Sequence, residues 1–167
     1  MNNRILENII KKTYLDLERN VLILIAIPLP FFAIAYLFNQ NGTVSLDVPQ
    51  LPLFLNTFGL ALVYALLAFH YFIFHNTIKK IITGNYDLIE KVNLYAGATM
   101  RRFWILFTSG ILCSLGLLFF EDPGFTIAFA ITLVFSSLGK PSPDRIVRLL
   151  RLKGQEKEEI ELLKIRG

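Results

Sequence analysis

Four stretches of this 167-residue chain contain no Asp, Glu, Lys or Arg: 20–46, 48–78, 103–120 and 123–139. About 20 predominantly apolar residues cross the hydrocarbon core of a bilayer as a helix. In lipid the peptide groups must be satisfied within the segment, which a helix does along its own length. Each stretch reaches or nearly reaches the required length, so the expectation is an all-α integral membrane four-helix bundle. Its spans fall at about 20–38, 52–74, 103–120 and 124–139. Residues 1–140 then form one transmembrane domain and residues 141–167 a cytoplasmic amphipathic helical tail. Composition agrees: 54% of residues are hydrophobic and 18% charged, against roughly a quarter charged in ordinary globular domains.

The charge of +4 is distributed by topology rather than gathered into a nucleic-acid patch. All seventeen basic residues fall in the N-terminal segment, the connection between spans two and three, or the C-terminal tail. The other two connections hold only Asp47, Glu121 and Asp122. With four spans the three basic regions share one side, which the positive-inside rule makes cytoplasmic. Both termini are expected inside. The first apolar run follows the charged, helix-like segment Asn2–Arg19 and lacks a small-residue cleavage site, so no signal peptide is read there. Cys113 is the only cysteine and precludes an intrachain disulfide.

Along the chain, a helix is expected from near Asn3 into the first span, with a kink at Pro28 and Pro30. Each proline removes a donor and crowds the carbonyl four residues earlier, here those of Leu24 and Ala26. Such a kink is either a hinge or ligand cleft, or simply a packed bend. Residues Asn39–Pro52 form an external connection rich in Asn, Gly, Pro and Ser. The second span continues as a helix through Ile78, Ile81 and Ile82 to a turn at Gly84-Asn85. A following helix from about Asp87 carries Leu88, Val92 and Tyr95 on one face, and the N-terminal extension is long enough to pack against this hairpin. Glu121-Asp122-Pro123-Gly124 makes spans three and four antiparallel neighbours. After Gly139-Lys140-Pro141, Ser142 suits an N-cap, Pro143 the first helical position and Asp144 the positive end of the dipole. The tail then reads as two helices separated at Lys153-Gly154.

Candidate ligand contacts lie in the first two spans: Pro28, Pro30, Asn56, Tyr64 and His70. Polar groups inside a membrane usually face the bundle interior and can mark a ligand path. At 100° per residue Asn56 and His70 point within about 40° of one another, while His70 and His75 diverge by about 140° and cannot share one ion. No metal site, cofactor or catalytic constellation is read from the chain: there are no cysteine pairs, no Gly-x-Ser-x-Gly element and no phosphate-binding glycine loop. No span carries a carboxylate for proton coupling. An enzyme is therefore not expected.

Ser109, Gly110, Cys113, Ser114 and Gly116 let the third span approach a neighbour closely, within the chain or in an oligomer. Arg145, Arg148, Arg151 and Lys153 alternate with apolar residues and suit contact with an anionic membrane surface or a partner. The acidic segment after Gly154 can fold back on that helix or dock elsewhere.

The run Leu94-Tyr95-Ala96-Gly97-Ala98-Thr99-Met100-Arg101-Arg102 leads into a glycine-containing span, and Gly139-Lys140-Pro141-Ser142-Pro143-Asp144-Arg145-Ile146 closes the fourth. Here the chain resembles a broad group of uncharacterised small bacterial inner-membrane proteins with four helices and a short amphipathic tail. The resemblance implies a bacterial inner-membrane location and carries no activity. The leading expectation is a non-enzymatic interaction, scaffold or accessory subunit whose partners are membrane lipids and another membrane protein or a second copy. The alternative is a small channel or transporter that binds a hydrophobic or lipid-like ligand between the helices.

Overall fold

The computed structural model describes residues 3–41 and 51–165. The connection expected between the first two spans, with Asp47, lies largely outside them. Among the described residues the chain is all α: α1 (Asn3–Ala26), α2 (Pro28–Asn41), α3 (Leu53–Thr83), α4 (Leu88–Phe120), α5 (Pro123–Gly139), α6 (Pro143–Leu150) and α7 (Gln155–Ile165). Three helical runs are long and apolar enough to cross a membrane: Leu6–Gln40, Leu53–Thr83 and Leu88–Phe120. Taking α5 with its continuation α6 as one bent span makes four.

The first run is interrupted at Ile27, immediately before Pro28, where the expected kink was placed. Ile27 still donates to the Ile23 carbonyl at 3.1 Å, whereas Pro28, the next residue, has no donor to offer.

The helices divide into two compact units. The first contains residues 1–22, 72–102 and 140–167. Its core is built from helical stripes: Ile10, Tyr14, Leu17 and Val21 on α1; Phe74, Ile78 and Ile81 on α3; Leu88, Val92 and Tyr95 on α4. Ile146 and Leu150 of α6 and Ile160 and Leu163 of α7 complete it. The spacing of three and four residues is that of one buried helix face. Thr13 of α1 donates to Asn93 of α4 at 3.3 Å, so the N-terminal extension meets the hairpin. Lys91 on α4 pairs with Glu156 on α7 at 2.8 Å, and Lys140 with Glu18 at 3.7 Å. The segment 141–167, expected as the amphipathic tail, falls in this unit, which is assembled from three distant segments.

Local signals set the ends of these helices. The Asp87 carboxylate accepts from the Glu90 amide at 2.7 Å, while Glu90 accepts from the Asp87 amide at 3.4 Å, a reciprocal cap that starts α4. Ser142 accepts from the Arg145 amide with Pro143 at the first position, as expected. α6 ends at Arg151 in the left-handed region, φ 53°. That conformation costs a residue bearing a β-carbon about 1–2 kcal/mol; glycine is its usual occupant. Gly154 fills the same region at φ 55° and opens α7.

The second unit holds residues 23–71 and 103–139. Ser109, Gly110, Cys113, Ser114 and Gly116 are all buried, so the small residues of α4 serve packing inside the chain. A β-carbon on Gly110 would lie 3.0 Å from Pro28, and one on Gly116 only 2.3 Å from the Phe125 ring. Phe125 is 1% exposed and stacks on Phe120; Phe32 of α2 stacks on Phe129 of α5 at 3.8 Å. Outward, Phe54 and Phe58 of α3 are 68% and 63% exposed. Large apolar side chains exposed in such numbers are what a lipid-solvated surface requires.

Candidate functional site

The five candidate ligand contacts of the second unit do not converge. Pro28 borders a cavity of only about 10 Å³, lined also by Leu24, Phe103, Phe129 and Ser136; this is room for about one water. Pro30 and Tyr64 are exposed. His70 is fully buried and meets the Phe135 ring edge-on at 4.9 Å. Asn56 is separated from His70 by about 21 Å of helix at 1.5 Å per residue. Sharing a face, which the sequence showed, is not sharing a depth.

Asn56 has a structural task. Its amide donates to Asp122 at 2.7 Å, and the other oxygen of Asp122 accepts from Gly124 at 2.7 Å. Asp122 therefore caps α5 and ties the α4–α5 turn to α3. Glu121 precedes it at φ 53°. An apolar groove of about 220 Å³ lies between Gly59, Leu112, Leu115, Gly116, Phe119, Phe120 and Phe125 in the same unit.

The basic residues of the tail separate into different environments. Arg148 and Lys153 are exposed. Arg145 is half-buried, close enough to Arg102 and Tyr95 to perturb both. Arg102, the last residue before the uncharged stretch 103–120, is 7% exposed and lies 5.0 Å over the Phe74 ring. Burial, and then the neighbouring Arg145 charge, lowers its pKa to about 10. Burial raises that of Tyr95, opposed by Thr99 and the two arginines. A cation on an aromatic face retains part of what it loses on leaving water.

Arg151 reaches a different place. With His75, Ile78, Lys79, Ile82 and Thr83 of α3 it lines a groove of about 330 Å³ within the first unit. Ile78 is 6% exposed and forms the floor; Lys79, Thr83 and Arg151 stand exposed around it. The Thr83 hydroxyl turns back to the carbonyls of Lys79 and Lys80 at 3.1 and 3.3 Å. Sequence reading placed Arg151 in a stripe with Arg145 and Arg148, and missed Lys79 and Thr83. Arg151 ends α6 in the left-handed region and lines the α3 groove, a placement that no periodicity encodes. Among the described residues, no three His, Cys or carboxylate side chains are grouped to hold a metal ion. Comparison with known proteins finds no family model, no curated protein and no solved structure that matches this chain.

Proposed function

We propose that the protein is a non-enzymatic interaction or accessory subunit of the bacterial inner membrane. In this reading four spans anchor the chain, both termini face the cytoplasm, and the charged first unit presents a contact surface to another membrane protein or a second copy. One observation carries it: the charged segments fold into a helical unit with its own apolar core, instead of remaining loose connections. The filled space at Pro28 supports the same reading, because a cavity of about 10 Å³ admits no solute larger than water. The distribution of Lys and Arg supports the sidedness.

Two experiments test this. A reporter active only outside the membrane should work when inserted near Gly42 and stay silent at the C-terminus; the reverse overturns the orientation. Photo-crosslinkers at Arg148 and Lys153, in intact membranes, should give discrete protein adducts, while those at Phe54 and Phe58 give lipid adducts. Lipid adducts alone at all four positions, with a monomer in mild detergent, would remove the interaction reading. The second reading, a small channel or transporter for a lipid-like ligand, draws on the 220 Å³ groove around Gly59 and Gly116. It predicts a co-purifying hydrophobic ligand displaced by filling that groove through Gly59→Leu.

A further inference from the structure

We infer that the groove between the C-terminal turns of α3 and the end of α6 binds the phosphate-bearing headgroup of an anionic membrane lipid. Three observations converge on it. First, the cations: Lys79 and Arg151, from elements 72 residues apart, face one hollow of about 330 Å³, with His75 and Thr83 alongside. Neither cation makes an ion pair with a described carboxylate. Four carboxylates of this unit pair with other cations, Glu156 with Lys91, Glu18 with Lys140, Glu161 with Lys157 and Asp16 with Arg19. A phosphate seated between the two cations would accept hydrogen bonds from both.

Second, the depth. Lys79 is the first charged residue after the uncharged stretch 48–78. The headgroup layer adds about 5–8 Å beyond the hydrocarbon on each side, which is three to five residues of helix. His75 and Lys79 therefore fall at the level where lipid phosphates lie. Ile78 and Ile82 line the same groove and offer an apolar surface for the start of an acyl chain.

Third, the backbone. Arg151 occupies the left-handed position at the end of α6, where glycine would be unstrained. Its amide donates to the Val147 carbonyl as any residue's would, so arginine contributes nothing to the cap that glycine lacks. What it contributes is a guanidinium at the rim of the groove.

The recognised chemistry is a phosphate monoanion or dianion beside an apolar chain, and the source assigned is the bilayer rather than a free phosphoester. The test uses the full-length protein, purified in mild detergent and examined by native mass spectrometry with added phosphatidylglycerol or phosphatidylcholine. Wild type should retain one phosphatidylglycerol through activation that strips phosphatidylcholine. Lys79→Gln with Arg151→Gln should weaken that retention about thirtyfold, two basic groups at the usual value per group near a membrane. Lys79→Arg with Arg151→Lys should restore it. Lys12→Gln with Arg19→Gln, the same change of charge elsewhere, should leave it intact.

Arg151→Gly supplies a readout that a merely structural arginine would not give: higher thermal stability together with weaker lipid retention. Equal retention by wild type and the Lys79/Arg151 double variant overturns the site. Equal loss in the Lys12/Arg19 control reduces it to general surface charge and also overturns it. Inorganic phosphate, titrated into protein in nanodiscs of phosphatidylcholine alone, should leave the Lys79 and Arg151 environments unchanged by NMR. Saturable binding there would assign the groove to a soluble phosphate and overturn the lipid source.

Discussion

Adding one methyl group at Gly116 tests the packing of the second unit directly. A β-carbon there would stand 2.3, 2.4 and 2.5 Å from three atoms of the Phe125 ring, where carbon atoms in contact lie about 3.5–4.0 Å apart. The ring must therefore retreat by more than 1 Å. It has little room to do so, being 1% exposed and stacked on Phe120, with the β-carbon position of Gly59 also 3.4 Å from the ring. Overpacking of this kind costs about 1–3 kcal/mol, and replacing glycine by alanine in a helix returns about 1 kcal/mol. Gly116→Ala should thus destabilise by up to about 2 kcal/mol. Gly97, on the same helix, has nothing within 4 Å of its β-carbon position, so Gly97→Ala should stabilise by about 1 kcal/mol. Reversible denaturation in mixed micelles, followed by circular dichroism, measures both. Phe125→Leu should relieve Gly116→Ala, giving a favourable coupling of about 1 kcal/mol or more in a double-mutant cycle. Gly116→Ala proving as stable as Gly97→Ala, with no coupling to Phe125, would falsify the close approach.

Three further outcomes follow from individual contacts. Ser109 is fully buried and its hydroxyl has no hydrogen-bond partner among the described residues, so Ser109→Ala should be neutral or stabilising, whereas Ser114→Ala, which removes a 3.0 Å bond to Gly110, should cost about 0.5–1.5 kcal/mol by the same denaturation assay. Asn56→Leu removes the donor to Asp122 and should cost about 1–3 kcal/mol, together with faster cleavage by protease applied at the α4–α5 turn; unchanged cleavage would detach that turn from α3. Ile160 is fully buried on α7, so Ile160→Ala should cost about 2–5 kcal/mol and expose residues 155–165 to limited proteolysis; wild-type resistance would show that α7 contributes nothing to the unit.

Much of the architecture is legible in the sequence because lipid is a demanding solvent. Long uncharged stretches, the proline pair at residues 28 and 30, the Gly84-Asn85 turn and the Ser142-Pro143-Asp144 cap each report a local energetic fact. Helix existence and ends follow from them. The reciprocal cap of Asp87 and Glu90 is equally local, three residues apart, but the helix start near Asp87 was read without it. The face Leu88, Val92 and Tyr95 was also readable, because one helix stripe must be buried whatever it meets.

What could not be read was which distant residues meet. Asn56 carries the same helical angle whether it lines a ligand path or holds Asp122, and only the fold brings residue 122 beside residue 56. Arg145, Arg148 and Arg151 look equivalent in a periodic stripe; tertiary structure puts the first beside Arg102 and Tyr95, leaves the second in the open, and turns the third to Lys79. The sequence by itself determined which segments are apolar helices, since transfer from water depends on composition summed along a single rod. Tertiary structure alone decided that residues 1–22, 72–102 and 140–167 share one core, because contact between remote segments depends on shape and depth that no local pattern records.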